Sequence, residues 1–142
     1  MIDEISDRRA TLVPVVDSKV ELGPGAFESP PFRFKYPGRY SVHIDLKLRA
    51  GPGTGPYRDL PLSGVIEIRD ASGNESVRHR FRTALASNLV SVEVARLQSG
   101  DAKCESDCQL MLRFDELDPE LVWTYASAGV WMRRDPWSVL TY

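Results

Sequence analysis

No uncharged run in this 142-residue sequence is longer than 12 residues, Leu121 to Met132. A membrane-crossing helix needs about 20, so the sequence supplies none. The N-terminal stretch Met1-Ile-Asp-Glu-Ile-Ser-Asp-Arg-Arg lacks the apolar segment of a secretory signal. Histidine is scarce, with two residues, His43 and His79, and cysteine equally so, with Cys104 and Cys108. A structural zinc site asks for four ligands from such residues, and no metal centre is expected. Charge of one sign is also missing: 20 acidic and 18 basic residues leave a net charge of −2. Nucleic-acid binding requires a basic field, so a nucleic-acid partner is not expected. There is no Gly-x-Ser-x-Gly elbow, no His-Glu-x-x-His pair, no internal repeat and no low-complexity tract.

Short apolar segments between turn residues are what the sequence does have. Apolar residues make up 42% and charged residues 27%, a balance that excludes a disordered tail. Ten glycines and ten prolines fall between the apolar segments. Tyr40, Val42, Ile44, Leu46 and Leu48 alternate with Ser41, His43, Asp45, Lys47 and Arg49, the pattern of a strand with one buried face. Strands are expected at Leu12–Val16 (an edge, because of Pro14), Lys19–Leu22, Leu62–Arg69, Glu75–Arg82, Leu89–Leu97 and Gln109–Phe114. Residues 121–126 and 129–134 also read as strands, with a helical turn between Asp118 and Leu121. The Asp70-Ala-Ser-Gly-Asn turn sets a hairpin register: Ile68 against Val77, Ile66 against His79, Glu67 against Arg78, Val65 against Arg80, Ser63 against Arg82. An apolar pair then lies inside and an ion pair outside, as cross-strand packing favours. The expected fold is an all-β, two-sheet antiparallel sandwich, immunoglobulin-like or jelly-roll-like, of seven to nine strands. It should form one domain over residues 11–142 behind a flexible segment, 1–10.

The segment Phe34-Lys-Tyr-Pro-Gly-Arg-Tyr40-Ser-Val-His-Ile44 resembles the strand entry of small exported proteobacterial β-sandwiches. These include lipoproteins and periplasmic immunity proteins that act against secreted antibacterial effectors. The resemblance implies a fold type and a compartment and carries over no binding or catalytic residue. Cys104 and Cys108, four positions apart in a polar segment, independently read as one short disulfide in an oxidising compartment. Closing so small a loop stabilises by about 2 kcal/mol. The expected location is therefore periplasmic or otherwise exported, with a signal segment and any lipid anchor expected on a longer precursor.

Catalytic geometry is hard to find. Ser41, His43 and Asp45 share one strand face, where alternate residues stand about 6.5–7 Å apart. Proton transfer needs about 2.6–3.2 Å. The loop Ala50-Gly-Pro-Gly-Thr-Gly-Pro-Tyr57 lacks the Lys-Ser/Thr and following helix of a phosphate loop. The acidic groups Asp101, Glu105, Asp107 and Asp115, Glu116, Asp118 match no calcium-loop spacing. His79, pointing the same way as Val77 and Phe81, reads as a core or core-edge residue.

Binding surfaces are better supplied. Arg78, Arg80 and Arg82 place three guanidinium groups on the outward face of one strand, with Glu67, Glu93 and Asp45 as candidate internal partners. Arginine is enriched at interfaces because its planar fork pairs carboxylates and its stem covers apolar area. Tyr57, Arg58 and Asp59 sit on a long Gly/Pro loop, a usual location for recognition. Trp123, Tyr125, Trp131, Trp137 and Tyr142 cluster near the C-terminus, with Trp137 and Tyr142 the expected exposed pair. The expectation is therefore a non-catalytic, cofactor-free exported protein that binds another protein, of the immunity type. The alternative is a carbohydrate-binding module that uses the C-terminal aromatics.

Overall fold

The computed structural model describes residues 14–48, 60–85, 91–104, 106–115 and 117–135. Segment 1–10, Leu12, Val13, the 49–59 loop with Tyr57, Arg58 and Asp59, and Leu89, Val90, Glu105, Glu116, Trp137 and Tyr142 lie outside them. Eight strands are present among the described residues: β1 Val16–Val20, β2 Ala26–Glu28, β3 Arg39–Leu48, β4 Leu60–Asp70, β5 Glu75–Leu85, β6 Ser91–Gln98, β7 Cys108–Phe114 and β8 Tyr125–Arg134. Among the described residues one helix, α1, spans Pro119–Thr124, and one 3-10 turn covers Ser99–Asp101.

The strands form two antiparallel four-stranded sheets, in the order β1-β8-β3-β6 (sheet I) and β2-β7-β4-β5 (sheet II). The pairs β1–β8, β2–β7, β3–β6 and β4–β5 are those of one long hairpin with its tip between β4 and β5. Pairing of β3 with β8 and of β4 with β7 shows that this hairpin has rolled up on itself. That is the jelly roll, which decides between the two expected sandwich types. The core lies between the sheets, built from inward residues such as Tyr40, Val42 and Ile44 on β3, Ile66 and Ile68 on β4, Leu110 and Leu112 on β7, and Val130 and Met132 on β8.

The β4–β5 register matches the expected pairing from Ser63↔Arg82 to Ile68↔Val77, with a shift beyond Ile68 that brings Arg69 opposite Glu75. The turn is held by Asp70, whose carboxylate accepts from the amides of Ser72 and Asn74, both at 2.9 Å. Gly73 supplies the positive φ of 85° that closes it. Gly64 has a different reason. It stands opposite Phe81 on one side and Phe114 on the other, and a Cβ here would meet Phe81 Cζ at 2.9 Å and press on the Arg113 carbonyl.

Several expected elements need correction. Residues 14–22, the described part of the expected Leu12–Val16 and Lys19–Leu22 segments, hold one edge strand, β1, Val16–Val20, and the three-residue β2 was not foreseen. Residues 121–124 are helix rather than strand, and β8 runs from Tyr125 to Arg134 as one strand. Asp118 caps α1 by accepting from the Glu120 amide at 2.9 Å, and Pro119 is pre-set for the first helical turn. Leu121 is buried, so the helix is pinned where the chain crosses from sheet II to sheet I. His79 is exposed rather than in the core. Its alternation points inward, but β5 is an edge strand, and of its Glu75–Thr83 part only Phe81 is buried.

The Phe34–Ile44 segment is a locally braced strand entry. Phe34 packs edge-on to Tyr40 at 4.8 Å between ring centres, and the Tyr40 hydroxyl donates to the Tyr36 carbonyl at 2.8 Å. Gly38, at φ 137°, exchanges hydrogen bonds with Ser99: its amide donates to Oγ (3.1 Å) and its carbonyl accepts from the Ser99 amide (2.9 Å). The disulfide between Cys104 and Cys108 is formed, at the start of β7. No described helix is long and apolar enough to cross a membrane.

Candidate functional site

The outward faces of the two sheets differ in chemistry. On sheet II, register and alternation define a grid. One row reads Arg80, Val65, Arg113, Ala26; the next reads Arg78, Glu67, Met111, Glu28. Arg82 stands opposite Ser63, and Arg69 opposite Gln109. Arg69, Arg78, Arg80, Arg82 and Arg113 thus come from three adjacent strands onto one face. The sequence alone identified the β5 members. Arg69 and Arg113 were equally legible as outward residues, but the order of the strands, which brings them beside β5, was not.

Val65 and Glu67 are only 2% and 4% exposed although they point away from the core. Directly opposed residues stand about 4.5–5.5 Å apart, which puts the stems of Arg80 and Arg113 beside Val65 and those of Arg78 and Met111 beside Glu67. Glu67 accepts two hydrogen bonds on Oε2 from Arg69, from Nε at 2.9 Å and Nη2 at 2.6 Å. Its Oε1 lies 3.9 Å from Arg78 Nε, as the register required. Arg80 reaches over β4 to Asp115 at 3.3 Å, not to the expected Glu93 or Asp45, which belong to sheet I. Among the described residues, no carboxylate lies within ion-pair distance of Arg82 or Arg113.

Beside Arg113 opens an apolar groove of about 570 Å³ lined by Leu22, Pro24, Phe114, Leu117 and Val122. It lies between the two connections that carry the chain from one sheet to the other, β1 to β2 and β7 through α1 to β8. Arg113 and Asp115 form its polar rim.

On sheet I, the ring of His43 stacks on that of Trp131 at 4.0 Å and 3°, and the Arg133 guanidinium lies 4.9 Å from the Trp131 ring centre. The indole N–H donates to Asp45 at 2.9 Å. Asp45 is thereby committed to Trp131, and His43 Nδ1 is buried without a hydrogen-bond partner, so Ser41, His43 and Asp45 do not form a relay. Burial pushes the His43 pKa below its ordinary 6.5; Arg133 and Arg96 act in the same direction, against Glu93 and Asp45. Glu93 is paired with Arg96.

The C-terminal aromatics are dispersed. Tyr125 is in the core, Trp131 is stacked with His43, and Trp123, on α1, is 79% exposed. The described members therefore do not assemble into one stacking platform. Among the described residues, no group of three or more His, Cys, Asp or Glu side chains is placed to hold a metal ion.

No family model and no curated protein matches the chain. The crystal structure of GEBA250068378 from Sulfurospirillum deleyianum is similar at a TM-score of 0.54 and 7% identity, covering 84% of this chain and 96% of that one. A chain of the IBDV viral particle is similar at a TM-score of 0.43 and 9% identity, over 89% of this chain and 30% of that one. The likeness to the Sulfurospirillum deleyianum structure is one of fold alone.

Proposed function

We propose that this chain is a protein-binding domain whose sheet II face docks an acidic surface of another protein. The immunity type of role, in which an exported domain covers and neutralises a secreted antibacterial effector, is the form of this reading that we adopt. The observation that carries it is the gathering of five arginines on three neighbouring strands, with Arg82 and Arg113 left without a carboxylate among the described residues. Such a group is balanced by solvent or by the acids of a partner, and arginine is among the residues most enriched at protein interfaces. Glu67 and Asp115 hold Arg69, Arg78 and Arg80 in place, which lowers the entropy lost when a partner orders them. The disulfide supports a periplasmic or otherwise exported setting.

The experiment is affinity capture from extracts of the native cells by the wild type and by Arg82→Glu/Arg113→Glu. Both residues lie outside the described ion pairs, so the variant should melt like the wild type. The proposal expects a protein retained by the wild type, released by added salt and absent from the variant's eluate. Equal retention by a variant of unchanged stability would overturn it.

A further inference from the structure

Resting on the reading of sheet II as a protein-binding face, we infer that the partner is taken as an added strand: an extended acidic segment that pairs with the free edge of β5 along Val77–Arg82. Among the described residues the four sheet edges are β1 and β6 on sheet I and β2 and β5 on sheet II. Unpaired edges template further pairing, and proteins usually blunt them with short strands, bulges or charge. β1 has five residues and β2 three, and β6 carries a register shift opposite Val42/His43. β5 is 11 residues long, and its register against β4 runs unbroken from Val77 to Leu85. Among the described residues no strand other than β4 pairs with it.

Its side chains select what can be added. Arg78, Arg80 and Arg82 alternate on the outer face and are exposed. A second copy of β5 placed edge to edge would set arginine against arginine, and like charges directly opposite are destabilising. A strand with Asp or Glu at every second position meets the ladder with opposite charge. The residues between those acids fall beside Val77 and His79, where β-branched side chains suit a half-covered surface. In strand addition the main chain supplies affinity and alternate side chains supply specificity. The β5 edge offers both.

The test uses the intact protein and a fluorescently labelled, end-capped heptapeptide of alternating Glu and Val. Its comparisons are a peptide of the same composition with the glutamates in one block, and two peptides N-methylated on one or the other alternating set of amides. An added strand presents only one of its edges to β5. Methylation of one set should therefore weaken binding at least about tenfold while methylation of the other spares it, and the block peptide should bind at least about tenfold more weakly than the alternating one. Hydrogen exchange of β5 amides should slow on binding. If both methylated peptides bind like the parent while Arg82→Glu weakens all of them, strand addition is refuted and the arginine face survives as the wider reading. Failure of the alternating peptide to bind at all also overturns strand addition, and the capture experiment then decides the wider reading separately.

Discussion

The Glu67–Arg69 pair anchors the arginine face, and its energetics follow from its burial. Glu67 keeps 5% of its side-chain surface and Arg69 keeps 34%, so the two ends of the bond respond differently to losing each other. Arg69→Met leaves the carboxylate buried with only Arg78, 3.9 Å away, and should cost about 3 kcal/mol, at the low end for breaking a buried pair. Glu67→Met leaves a guanidinium that can turn to water, at about 1 kcal/mol after allowance for screening. The double variant replaces both charges by apolar groups of similar length and should lose no more than about 1 kcal/mol. The cycle then gives a coupling of roughly 3 kcal/mol, near the upper end for a contacting pair. Urea unfolding followed by circular dichroism measures all four proteins, and Arg69→Met should melt roughly 6–12 °C below the wild type. Additive losses, with the double variant the least stable of the four, would show that the two charges are not coupled.

Three further outcomes are expected. Gly64→Ala forces a methyl against the Arg113 carbonyl and the Phe81 ring and should cost about 2 kcal/mol, whereas Gly100→Ala, with nothing within 4 Å, should stay within about 0.5 kcal/mol in the same melts. Cys104→Ser/Cys108→Ser should destabilise by about 2 kcal/mol in urea titrations, because the closed loop is short. His43 titrates below 6.5 in the folded state, so the unfolded chain binds the proton first as pH falls. The resulting stability is present above 6.5 and lost as pH drops through the folded value, so His43→Gln should flatten the acid side of the Tm–pH curve.

How far the sequence could be read depended on the distance between partners. The β4–β5 register was legible because a four-residue loop, 71–74, joins strands whose alternation and charges agree. The two sheets followed from counting alternating segments, but their order did not, since β8 pairs with both β1 and β3 across most of the chain. For that reason Arg78, Arg80 and Arg82 were found while Arg113 was not, and the His43–Trp131 stack was invisible. Alternation gives direction without coverage: His79 points inward and is exposed, and Val65 points outward and is buried. Residues 121–124 carried strand-like side chains, and the Asp118-Pro119 cap with buried Leu121 outweighed them.

Hydrogen exchange on the chain with its captured partner tests most directly whether sheet II recognises an acidic protein. Exchange should slow across β5 and the β4 and β7 amides beneath the arginines, with β1, β3 and β8 on the opposite face unchanged. Protection centred on the His43–Trp131 face, with β5 exchanging as in the free protein, would contradict it.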